Sequence, residues 1–94
     1  MISIPDRTGL RVLLLDDDVG IRESVCAYLE DCNIQVVVGG NGLDGLRILQ
    51  EDDTFDVAVV DLRMPVMDGY QFIASMVSKG SSIPIVVLSG VGVV

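Results

Sequence analysis

The chain has 94 residues, enough for one small hydrophobic core and too few for two. Half of it is apolar, yet it holds only two Tyr, two Phe and no Trp, so Val, Leu and Ile must fill the interior, which suits a parallel sheet covered by helices better than an aromatic-rich β-sandwich. Fourteen acidic residues against six basic ones give a net charge of -8, which argues against nucleic acid or an anionic membrane as a direct partner and suits divalent cations.

At the N-terminus, Pro5, Asp6 and Arg7 stand where the apolar segment of a signal peptide would have to run, and no stretch approaches membrane-spanning length, so a cytoplasmic location is expected. Residues 11 to 16 (RVLLLD) read as a strand. Residues 19 to 32 follow as a helix, with Ile21, Val25, Leu29 and Cys32 on one stripe and Asp18 as its N-cap or first-turn acid. Cys26 and Cys32 lie on that one helix with side chains pointing apart, so they are expected to be reduced thiols. With no histidine and no CxxC spacing, zinc is not expected. Residues 34 to 38 form a second strand, GGNG at 39 to 42 a turn, and Leu43, Leu46 and Leu49 line a second helix ending near Asp52.

Residues 56 to 61 make a third strand that stops on a carboxylate, Asp61. In the following RMPVMDG, Met64-Pro65 forbids helix at residue 64 and Gly69 permits backbone angles that other residues avoid, so residues 62 to 69 are expected to be a shaped loop. Asp68 is assigned to support of that turn, the Arg63 side chain to solvent, and Met64 and Met67 to packing. Phe72, Ile73, Met76 and Val77 mark a third helix closed by Gly80, and residues 84 to 89 (PIVVLS) a fourth strand.

Strands alternating with helices predict an α/β, doubly wound parallel sheet. Three of its strands end alike, in LLLD at Asp16, VVD at Asp61 and VLS at Ser89. In open α/β sheets ligands bind at the carboxyl ends of the strands, so Asp16, Asp17, Asp61 and Ser89 are expected to converge. Two carboxylates about 4 Å apart repel by about 4 kcal/mol at an effective dielectric near 20, so such a site needs a cation or raised pKa values. Mg²⁺ fits a cluster of oxygen ligands best, and an aspartate beside it can act as a nucleophile toward phosphorus.

LLLDDD, VVDLRMPVMDG and PIVVLSG, in this order and spacing, resemble the receiver (CheY-like) domain of bacterial two-component response regulators. The resemblance covers residues 11 to 90 and implies a flavodoxin-like fold. It makes Asp61 the phosphoacceptor, receiving a phosphoryl group from the phosphohistidine of a sensor kinase or phosphotransfer protein, and Ser89 the switch hydroxyl. It gives Mg²⁺ the ligands Asp17, Asp61 and the Arg63 backbone carbonyl, with Asp16 in contact often through water. DLRMPVMDG and VLSGVGVV carry a weaker likeness to the RssB group of receivers. The resemblance also implies a regulatory output domain, fused or separate, and a role that is not that of a conventional enzyme beyond autocatalysed phosphoryl transfer and loss.

The family pattern continues with a fourth helix, a fifth strand ending in a lysine and a fifth helix. Residues 1 to 94 therefore read as a receiver domain incomplete at its C-terminus, with four strands and three helices. Lys79 is the only lysine and lies at the end of the third helix, so the usual lysine has no counterpart. The fourth strand is then expected to be a bare sheet edge through which copies can associate. Two rivals remain: a haloacid-dehalogenase-type phosphatase using the D-x-D of Asp16 to Asp18 with Asp16 as nucleophile, and a pseudo-receiver serving only as an interaction module.

Overall fold

The computed structural model describes residues 9–88. Four strands and three helices alternate in it: β1 Arg11–Leu15, α1 Val19–Asp31, β2 Gln35–Gly39, α2 Gly42–Glu51, β3 Val57–Asp61, α3 Gly69–Ser78 and β4 Ile85–Leu88. The expected order of elements is therefore observed, with boundaries moved by a residue or two. The sheet is wholly parallel in the order β2-β1-β3-β4. The chain leaves β1 for β2 on one side and returns to place β3 on the other, so the strand order reverses at β1 and opens a crevice beyond the carboxyl ends of β1 and β3.

The core lies on one face of this sheet. Leu13, Leu15, Ala58 and Val60 alternate toward it and meet Phe55, Met64, Phe72 and Met76, all buried, with Leu46, Ile48 and Leu49 packed around them. Phe72, with no exposed surface, is the largest of these side chains. Gly45 lets α2 sit close, since a Cβ there would meet Leu15 at 2.5 Å and Phe72 at 2.8 Å.

Val12 and Leu14 point to the opposite face, beside α1. The stripe expected to bury α1 does so weakly: Val25 and Leu29 are half-buried, Ile21 and Cys32 are exposed, and no residue of the helix is fully buried. A single helix cannot enclose its own apolar stripe, and among the described residues no second helix shares this face with it. Val86 remains half-exposed at β4. Both cysteines are free, as their positions on the chain predicted.

Candidate functional site

Parallel pairing places Leu15 of β1 beside Val60 of β3, so the next residues of the two strands, Asp16 and Asp61, arrive side by side at the crevice. Asp17 joins them from the β1–α1 turn. One ligand oxygen from each of Asp16, Asp17 and Asp61 lies within 4.8 Å of the others, Asp16 and Asp61 being buried and Asp17 exposed. The strand-end logic thus brought together the three carboxylates it named. Ser89, the fourth member of the set, lies outside the described residues.

Each carboxylate is aimed by its own backbone. Asp16 Oδ1 accepts the Asp18 N–H at 2.9 Å, and Asp61 Oδ1 accepts the Arg63 N–H at 3.0 Å. The second of these bonds brings the Arg63 main chain to the site. Its side chain is exposed, as expected. Asp18 caps α1 by accepting the Ile21 N–H at 3.1 Å, which agrees with the helix-cap reading.

No lysine or arginine side chain among the described residues bonds to these three carboxylates. Arg22, the cation closest in the bonding pattern, donates instead to the Asp16 main-chain carbonyl at 3.0 Å. Burial therefore raises the Asp16 carboxyl above its ordinary value, and the neighbouring charges of Asp61 and Asp17 push the same way, against the lowering effect of the Asp18 N–H. The set is acidic, oxygen-only and short of positive charge, which is the donor chemistry a hard divalent cation requires.

The β3–α3 loop is built differently from the sequence expectation in two places. Gly69 opens α3, and its φ is not in the left-handed region. What it supplies is space, because a Cβ would fall 2.3 Å from the Asp61 carbonyl oxygen and 2.8 Å from Leu62 Cα. The unusual angle falls on Val66, whose φ is 68°. Met67 N–H donates to Pro65 C=O at 2.7 Å across it, closing a tight turn on a β-branched residue. Asp68, assigned above to the loop turn, is the N-cap of α3 in a capping box with Gln71, where each side chain accepts the other's backbone N–H. The D-G-Y-Q spacing held that signal. Gly42 was also missed: its N–H donates to the Met67 carbonyl at 2.8 Å, and a Cβ would strike Met67 Cγ at 2.7 Å, so the loop is clamped to the start of α2.

The match to known proteins fits this geometry. A family model described as the response regulator receiver domain matches residues 12–93. The chain belongs to that family. Among relatives, the two-component response regulator ORR24 of Oryza sativa subsp. indica is 33% identical over 85 residues, covering 89% of this chain and 13% of that protein. The transcriptional regulatory protein GlrR of Escherichia coli (strain K12) is 33% identical over 81 residues, covering 86% of this chain and 18% of that protein. The receiver therefore spans only a small part of the length of these relatives. Among solved structures, the Francisella response regulator 1452 receiver domain superposes with a TM-score of 0.80 at 27% identity, over 89% of this chain and 69% of that one. Chemotaxis response regulator CheY4 of Vibrio cholerae superposes with a TM-score of 0.75 at 34% identity, over 83% of this chain and 66% of that one. The four-stranded parallel sheet with three helices is thus a CheY-like receiver fold.

Proposed function

We propose that this receiver takes a phosphoryl group onto Asp61 from the phosphohistidine of a sensor kinase or phosphotransfer protein in the cytoplasm, and passes the signal to a regulatory output domain. One observation carries the reading: Asp16, Asp17 and Asp61 offer oxygens within 4.8 Å of one another at the carboxyl end of the sheet, and no cationic side chain among the described residues is bonded to them. Asp17, Asp61 and the Arg63 backbone carbonyl would hold Mg²⁺ directly, with Asp16 in contact through water. When bound, Mg²⁺ supplies the positive charge that lets an anionic phosphoryl group approach a cluster of carboxylates.

In the transfer, one Asp61 oxygen attacks phosphorus, an O–P bond forms as the N–P bond breaks, and the departing imidazole keeps the electron pair and takes a proton. The product is an acyl phosphate. Asp61 suits the role because its Oδ1 is fixed by the Arg63 N–H, so the carboxylate is presented in one orientation. Ser89 would bond to the phosphoryl oxygens as the switch hydroxyl. Among the described residues no helix is long and apolar enough to cross a membrane.

Labelling with acetyl phosphate and Mg²⁺, read by intact mass over hours, tests the proposal. A single phosphoryl adduct is expected, stable in acid, lost in base and absent in Asp61→Asn. An adduct that survives Asp61→Asn and disappears in Asp16→Asn would transfer the nucleophile to Asp16 and support the phosphatase reading. No adduct in the unaltered chain would leave the interaction module.

A further inference from the structure

We infer that Arg22 is a positioning residue for the acidic crevice: it clips the β1–α1 turn from both sides of Asp17, and so holds Asp17 beside Asp16 and Asp61. The parallel ladder explains why a clip is needed. The Asp16 N–H donates to the Gly39 carbonyl at 3.1 Å. By the spacing of parallel pairing, the Asp16 carbonyl would next accept the N–H of residue 41. β2 stops at Gly39, however, and Asn41 is already the N-cap of α2. The carbonyl at the end of β1 is left without a ladder donor, in a partly buried place where it needs one. Arg22 Nη1 supplies that bond at 3.0 Å.

The same residue holds the far side of the turn. Its backbone N–H donates to the Asp18 carbonyl at 3.0 Å as the first turn of α1 closes. The carbonyls of the residues on either side of Asp17 are thus both tied to Arg22. Asp17 depends on that tie, because its side chain is exposed and makes no hydrogen bond among the described residues, whereas Asp16 and Asp61 each accept a backbone N–H. Gly40 leaves space for the guanidinium, since a Cβ there would lie 3.1 Å from Arg22 Nη1. The Gly40 N–H is bonded in turn to Asp44 Oδ2 at 3.3 Å. The clip therefore joins the end of β1, the first turn of α1 and the β2–α2 turn.

A cation beside three carboxylates could instead act through its charge, and the two roles differ in sign. By charge alone Arg22 repels Mg²⁺, so its removal would tighten metal binding. As a clip it fixes the place of an oxygen ligand, and its removal would loosen binding, because partners that orient metal ligands are worth about ten- to a hundredfold in affinity. The bonding favours the clip: the guanidinium donates to the main chain and leaves the carboxylates themselves free. The metal arm of the inference rests on the phosphoacceptor site proposed above, and the bonding of the turn does not.

Arg22→Met removes donor and charge together while keeping an apolar stem, and Arg22→Lys keeps a donor on a stem of similar reach. Amide exchange without metal reads the turn directly. In Arg22→Met the Asp18 N–H, which bonds to Asp16 Oδ1, should lose at least about fivefold protection, while the Arg63 N–H on Asp61 Oδ1 keeps its own. Calorimetry should show Mg²⁺ affinity falling about tenfold in Arg22→Met and returning to within about threefold of the unaltered chain in Arg22→Lys. Unchanged Asp18 protection in Arg22→Met would overturn the inference, as would Mg²⁺ binding by that variant as tight as, or tighter than, that of the unaltered chain. Equal loss of protection at Asp18 and Arg63 would also overturn it, since that is general loosening and not a local clip. Mg²⁺ binding by none of the three chains would count against the metal site itself, and the Asp18 exchange would still decide the role of Arg22.

Discussion

The two ends of the sheet treat charge in opposite ways. At the amino end, Arg11 is bonded on all sides: its guanidinium donates to Gln35, Asp52 and Thr54 and lies 4.5 Å from the centre of the Phe55 ring, while its backbone N–H donates to Asp56 at 2.8 Å. Asp52 is held down to about 2 there, first by the Thr54 hydroxyl and N–H and then by Arg11. At the carboxyl end, three carboxylates share a small space, no cationic side chain among the described residues is bonded to them, and Asp16 is pushed up. Charges that serve the fold are neutralised within it. Charges left in excess at the crevice await a ligand, and that contrast separates site from scaffold without reference to any relative.

The largest test of the contrast is metal. Mg²⁺ at a hundred times its dissociation constant should stabilise the folded chain by about 2.7 kcal/mol, a melting shift of roughly 10–20 °C for a domain of this size. Asp17→Ala should remove most of that shift, and calorimetry should show Mg²⁺ affinity falling at least about tenfold, since an oxygen ligand is lost. Asp52→Asn, at the other end, should leave the metal response intact. Equal Mg²⁺ shifts in Asp17→Ala and the unaltered chain would remove the distinction between the ends.

A second test compares two glycines. Gly69→Ala drives a methyl into the Asp61 carbonyl, where only backbone could yield, and should cost about 1–3 kcal/mol while weakening Mg²⁺ binding. Gly80, at the far end of α3, has a φ of 71° and open space around it. Gly80→Ala should therefore cost about 1 kcal/mol through backbone strain alone and leave metal affinity unchanged. Thermal melts with and without Mg²⁺ separate the two.

Acid and alkali should act oppositely on the two ends. The folded-state pKa of Asp16 lies above its ordinary 3.8, so its contribution to stability is complete below 3.8 and is lost as pH rises through the folded value. Metal-free Asp16→Asn should then melt higher than the unaltered chain at pH 7 and respond less to Mg²⁺. Asp52, held at about 2, contributes above 3.8 and loses its effect as pH falls toward about 2. Asp52→Asn should melt lower at pH 7, modestly because the group is exposed, and match the unaltered chain near pH 2. A lower melting temperature for Asp16→Asn at pH 7 would mean the crowded carboxylates are not repelling.

What the sequence revealed follows the range of the physics involved. Runs such as RVLLL and VAVVD announce strands locally, and strands that stop on aspartate in an α/β sheet can only point their acids at one crevice, so fold and carboxylate cluster were both legible. The Arg11 network was not, because Gln35 on β2 and Asp52 and Thr54 in the α2–β3 connection come to Arg11 from distant parts of the chain that only the folded sheet assembles. The roles of Gly69 and Gly42 were obscured for a similar reason. A glycine chosen for close approach looks the same in sequence as one chosen for its angles, and the neighbours that decide, the Asp61 carbonyl and Met67, are set by tertiary packing.

The smallest expected effect concerns Val66, and it sharpens the comparison of scaffold with site. A β-branched side chain at φ 68° is strained, and 77% of its surface is exposed, so packing gives little in return. The strain is held by bonds on either side: Met67 N–H to Pro65 C=O, and Gly42 N–H to the Met67 carbonyl. Val66→Gly relieves the angle, offset in part by the greater freedom of glycine in the unfolded chain, and should stabilise the domain by less than about 1 kcal/mol. If the turn serves only to connect β3 to α3, Mg²⁺ affinity should stay constant. If its rigidity holds the Arg63 backbone at the site, the variant should melt higher yet bind Mg²⁺ more weakly, and this is the expected outcome, because the loop carrying the strain begins one residue after Asp61 and its Arg63 N–H is what orients that carboxylate. A variant that melts higher with unchanged affinity would assign the turn to the scaffold.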